Sequence, residues 1–138
     1  MKKRSRKAKP KPALPPGVRA LKTKSFARES RKNGISDQEL CEALAELSKG
    51  QGDNLGGNVW KKRLNKNMHR SIAIESPERF WVLVYLFAKQ DRKNIEDDEL
   101  AGFKKLAKDY LKANDAAING QIANGDLEEI CNERKEDH

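Results

Sequence analysis

The chain has 138 residues, 36% hydrophobic and 36% charged, with a formal net charge of +8; this describes a soluble globular protein with a heavily charged surface, for which a single core is expected. No apolar stretch approaches the roughly 20 residues of a membrane-crossing helix, and no apolar segment follows the basic N-terminus as in a secretory signal, so residence in the cytoplasm is expected. Cys41 and Cys131 lack CxxC spacing and make no cluster with His69 or His138, so the cysteines are read as reduced and buried, with neither a metal nor a cofactor expected.

Charge is uneven along the chain, summing to +7 over residues 1–17, +7 over 18–93 and −6 over 94–138. A basic body beside an acidic last third predicts a surface that meets polyanions on one side. Residues 1–17, MKKRSRKAKPKPALPPG, have almost nothing to bury and are read as a disordered basic tail, able to add non-specific nucleic-acid affinity through counterion release or simply solubility.

The folded domain is expected over residues 18–131, with a frayed end over 132–138. Val18 to Lys24 reads as a short strand. Ser25 to Lys32 reads as a helix anchored by Phe26 and closed by Asn33 and Gly34. Ser36 and Glu39 form a capping-box signature for a second helix with Leu40, Ala43, Leu44 and Leu47 on one face. Gln51 to Asn58 reads as a glycine-rich turn without phosphate-loop spacing.

Val59 to Leu64 predicts a strand with Trp60 and Leu64 on one face and Val59, Lys61 and Arg63 on the other. After a polar connection, Arg70 to Glu75 predicts a second strand, paired in a hairpin with a third. That third strand is the organising element: Phe80 to Ala88, a continuous apolar run rich in β-branched and aromatic residues, reads as a buried central strand. Lys89 and Arg92 leave it on rigid backbone. Trp60 and Trp81, among apolar neighbours, are read as core. The acidic cluster Glu96 to Glu99 suits a helix N-terminus, followed by Leu100, Phe103, Ala107, Tyr110 and Leu111 on one face. Asp115 to Ala123 predicts a further helix, and Leu127, Ile130 and Cys131 a final docked turn.

This order, with the strings KTKSFAR, SDQEL, LGG followed by KKRL, HRS, FAKQDRKNI and DDELAGFKKLA, resembles the RelE/HigB toxins of the RelE/ParE superfamily. The resemblance implies an α+β fold: a small antiparallel-rich sheet with two N-terminal helices and a C-terminal helix packed on it. It also implies a ribonuclease that cuts mRNA in the ribosomal A site and is held inactive by a cognate antitoxin. In the chemistry implied, which is metal-free, the ribose 2′-hydroxyl attacks the adjacent phosphate. Such a site needs a base, cations around the developing phosphorane, and a proton donor for the 5′-oxygen.

By position the resemblance assigns Lys61 and Arg63 as paired cations on the first hairpin strand, Arg70 as the clamp on the scissile phosphate, and Lys89 as the lysine after the central strand. His69 stands where many relatives have tyrosine, to stack on a base or act as acid or base. Lys62, Lys66 and Arg92 extend the RNA-binding field. Many relatives carry GGYR where this chain has Asn67, Met68, His69 and Arg70, and Gln90 stands where some have arginine. Two other functions stay open: a non-cleaving inhibitor on the same fold, as in the gyrase-directed ParE branch, and an RNA-binding protein without catalysis.

Overall fold

The nine-residue apolar run forms a strand over Phe80–Ala88, and the rest of the molecule covers its two faces. In the computed structural model, which describes residues 13–131, the order is β1 (Arg19–Thr23), α1 (Lys24–Lys32), α2 (Asp37–Ser48), β2 (Asp53–Gly56), β3 (Val59–Leu64), β4 (His69–Ser76), β5 (Phe80–Ala88), α3 (Asp97–Lys112), α4 (Asp115–Asn124) and β6 (Leu127–Ile130). The strands make one sheet in the order β2-β3-β4-β5-β1-β6. Neighbours are antiparallel except β1 and β5, which run parallel. Of the expected basic tail, residues 1–12 lie outside the described residues, as does the expected frayed end over 132–138. Among the described residues no helix is long and apolar enough to cross a membrane.

A strand apolar on both faces needs cover on both. On one face Phe26 of α1 and Leu40, Leu44 and Leu47 of α2 pack with Trp81 and Leu83 of β5. On the other, Ala107 and Tyr110 of α3 and Ile118 of α4 pack with Phe80 and Val82. Trp81 lies in the core of the first layer, as expected, and Trp60 is only partly buried, meeting it edge to face at 6.0 Å. Leu111, expected on the packed face of α3, is 41% exposed instead, because Tyr110 takes the inward position at that turn.

Four local expectations change in three dimensions. The turn expected over 51–58 holds β2, an edge strand of the low-propensity sequence DNLG that hydrogen-bonding to β3 supports. Its hairpin turn rests on α3: Gly57 has φ +62°, and a Cβ there would meet Lys104 Cγ at 2.8 Å. The expected final docked turn is β6, which extends the sheet by pairing with β1. Ser36 caps α2 by accepting from the Glu39 amide at 3.1 Å, but the Glu39 carboxylate does not return to the cap. It accepts the backbone N–H of Asn65 across the fold. There Asn65, Lys66 and Asn67 run consecutively through the left-handed region, with φ of 55°, 54° and 73°.

The fourth correction concerns the cysteines, which are half-buried and joined as Cys41–Cys131 rather than reduced. They are 90 residues apart in sequence, but the β1–β6 pairing (Ala20 opposite Ile130) brings Cys131 over α2, with a Cα separation of 5.5 Å. Sequence spacing carries no trace of this, because the proximity comes from the last strand returning beside the first. Closing a loop of that length removes enough unfolded-state entropy to stabilise the fold by about 4–5 kcal/mol.

Candidate functional site

Side chains alternate across a strand, so the register decides which cations share a face. Two transverse rows cross β3, β4 and β5 on the α3 side of the sheet: Lys61, Ile72 and Tyr85, then Arg63, Arg70 and Phe87. Val59 and Ile72 pack on Ala107 and Tyr110 of α3, which identifies the face. Beyond the cover of α3 the same face carries Lys61, Arg63 and Arg70 together. Arg63 and Arg70 are direct cross-strand partners, an arrangement that costs stability when the charges are alike. Among the described residues no carboxylate pairs with either arginine. Arg70 donates from Nη1 to the carbonyls of Asn67 and His69, both at 3.1 Å. Lys61 Nζ donates to the Asn94 side chain at 3.2 Å and lies 3.9 Å from Asp53.

The remaining candidates lie elsewhere. Lys62 falls on the opposite face, where Nζ meets Glu46 at 2.8 Å and the Gln51 carbonyl at 2.7 Å, tethering β3 to α2. His69 starts β4 with only 8% exposure. Its Nδ1 lies 3.1 Å from the Asn65 side-chain amide, which holds the ring at that nitrogen. His69 lines a cleft of about 630 Å³ with Phe26 and Glu29 of α1, and with Tyr85, Phe87 and Arg92. The cleft exists because β1 pairs β5 only as far as Leu83 before the chain turns into α1. A neighbouring recess is lined by Lys66, Met68, His69 and Lys89. The backbone N–H of Lys89 donates to the Met68 carbonyl at 2.9 Å, which holds the two loop ends together.

Arg92 joins the cleft to α3. Its guanidinium makes a two-pronged pair with Glu99, donates from Nη1 to the Tyr85 hydroxyl at 3.0 Å and from Nε to the Asn94 carbonyl at 3.1 Å. It stands 5.6 Å from the Phe87 ring centroid and 6.0 Å from that of Tyr85. These bonds, Glu99 first and Tyr85 second, raise the Arg92 pKa further above its ordinary value. In turn Arg92, and then the Glu96 amide, hold the Glu99 carboxyl below the usual range. The Glu99 side chain also completes the capping box of α3.

Tyr85 escaped the sequence reading for a definite reason. Strict alternation from Phe80 and Val82 would put Tyr85 on the α1 side of the sheet. The pairing with β4 slips between Ile72 and Ala73, leaving Val84 as an extra residue, and this bulge returns Tyr85 and Phe87 to the α3 side. An alternating pattern broken by one residue within a uniformly apolar run leaves no signal in the sequence.

The six-stranded fold, its helices on both faces and its strand-borne cations coincide with the span of one family. The family model for the RelE toxin of the RelE / RelB toxin-antitoxin system matches residues 18–130. No curated protein matches the chain. The family match begins one residue before β1 and ends with the last residue of β6, and on that ground the chain belongs to the RelE toxin family of toxin–antitoxin systems.

Proposed function

We propose that this toxin is a ribosome-dependent mRNA endonuclease acting in the cytoplasm, with residues 18–131 as the toxin domain and a cognate antitoxin as its inhibitor. The observation that carries the reading is the cross-strand pair Arg63–Arg70, with Lys61 one row away. Two like charges opposite each other on adjacent strands, without a carboxylate, have a use when an anion bridges them. A phosphodiester is such an anion, and its charge grows as the 2′-oxygen attacks phosphorus.

In the proposed reaction Arg70 clamps the scissile phosphate through its planar fork of donors, while Lys61 and Arg63 neutralise the phosphorane. Lys66 and Lys89, at the rim of the recess beside His69, hold the flanking backbone. His69, with Nδ1 engaged by Asn65, has Nε2 available to a base or a proton. Lys62 and Arg92 are committed to Glu46 and Glu99, and they position β3 and the loop after β5 rather than bind RNA. An antitoxin segment of acidic or amphipathic character fits the unpaired cations.

The test is brief induction in a bacterial host, with primer extension on a translated transcript and on the same transcript lacking its start codon. Cuts confined to the translated message support the proposal. Growth arrest with intact mRNA replaces it with non-cleaving inhibition on the same fold.

A further inference from the structure

We propose that the Tyr85 hydroxyl is the catalytic proton donor of this site, delivering a proton to the 5′-oxygen as it leaves phosphorus; the inference rests on the mRNA-cleavage reading above. Among the described residues, Tyr85 is the hydroxyl-bearing side chain that both shares the face of the arginine pair and lines the cleft beside His69. Through the register it is the diagonal neighbour of Arg70, with Ile72 opposite Tyr85 and Arg70 opposite Phe87. Diagonal partners lie about 7–8 Å apart at the backbone, within reach of long and aromatic side chains. Tyr85 also lines the cleft that holds His69 and Arg92.

Its environment suits proton donation. The hydroxyl oxygen accepts from Arg92 Nη1 at 3.0 Å, which leaves its own proton free to donate and sets a cation beside the phenolate that results. Arg92 does not need the hydroxyl for its own placement, since Glu99 and the Asn94 carbonyl already hold it. The ring is kept in place by Phe87 at 5.6 Å and Phe103 at 6.0 Å. Tyr110 offers a contrast within the same layer: it is only 7% exposed and packed edge to face on Phe80, its phenol is pushed up in pKa by burial, and among the described residues it has no hydrogen bond to a cation.

In the step proposed, the bond from the 2′-oxygen to phosphorus forms while the bond from phosphorus to the 5′-oxygen breaks. The 2′-hydroxyl proton passes to water and the Tyr85 proton passes to the 5′-oxygen. The products are a 2′,3′-cyclic phosphate and a 5′-hydroxyl, and the phenolate beside Arg92 regains a proton from water, so the net reaction neither consumes nor releases protons.

The experiment compares wild type and Tyr85→Phe in single-turnover cleavage of ribosome-bound mRNA. It uses an ordinary message and one in which sulfur replaces the scissile 5′-oxygen. A thiolate leaves without a proton. Tyr85→Phe should cut the ordinary message on the order of 100-fold or more slowly but the sulfur-substituted message at the wild-type rate, with unchanged ribosome affinity. Wild-type rates on the ordinary message overturn the inference. An equal loss on both messages also overturns it, because Tyr85 would then only position the site. A wild-type protein that cuts neither message overturns the cleavage reading and this inference together.

Discussion

The two ends of the sheet treat charge in opposite ways. At the β1–β6 edge the cations of β1, and Arg31 of α1, find carboxylates. Arg19 pairs with Glu129 at 2.9 Å, Lys22 with Asp37 at 2.7 Å, and Arg31 with Glu128 at 2.6 Å. Lys22 is only 2% exposed, so its ammonium would be costly there without partners. A disulfide closes the same edge. At the β3–β5 end, Arg63, Lys66, Arg70 and Lys89 have no carboxylate among the described residues. Charge is neutralised where the fold closes on itself and left open where an anionic partner is expected. The acidic last third thus serves the fold as much as solubility: Glu128 and Glu129 are spent on β1 and α1.

That contrast can be broken at its closed end first. Cys41→Ser should lower the unfolding free energy by about 4–5 kcal/mol relative to the oxidised protein, measured by urea denaturation, while reduced wild type matches the variant. Identical midpoints for oxidised and reduced protein would remove the disulfide from the account. At the open end, Arg70→Ala should slow mRNA cleavage by about 10²–10³-fold, with ribosome binding retained. Full activity in a variant that folds normally would show that Arg70 does not hold the phosphate.

A finer test uses the cost of the open end. Arg63→Thr removes one of two facing like charges, so it should raise the melting temperature, corresponding to about 0.2–1 kcal/mol, while reducing activity. A lower melting temperature would mean that the pair supports the fold. The smallest effect concerns Glu99. Its folded-state pKa is depressed by Arg92, so its contribution is present above the ordinary carboxylate pKa and is lost as pH falls through the lower folded value. Glu99→Gln should flatten that acid limb in a series of melts across pH. An unchanged acid limb would show that the part-exposed Arg92–Glu99 pair contributes nothing measurable to stability.

Sequence reading reached as far as local signals extend. Phe80–Ala88 was legible because nine apolar residues in a row can only be buried, and α1, α2 and α3 because Phe26, Ser36 and the acidic cluster before α3 mark their anchor and starts. The parity of Lys61 and Arg63 followed from the two-residue period of a strand, and Lys61, Arg63 and Arg70 do share a face. Edge strands were harder to read. β2 and β6 are four residues each and owe their conformation to β3 and β1.

The sequence by itself determined the central strand, the helices that flank it and the surplus of cations on the hairpin, because each is encoded by residues a few positions apart. The tertiary structure decided the rest. The return of β6 to β1 joined Cys41 to Cys131. Glu46 and Glu99, distant in sequence or across a loop, became the ion-pair partners of Lys62 and Arg92. A single extra residue at Val84 turned Tyr85 toward Arg92 and the arginine pair. Such outcomes depend on register and on contacts between residues distant in sequence, and no local pattern along the chain records them.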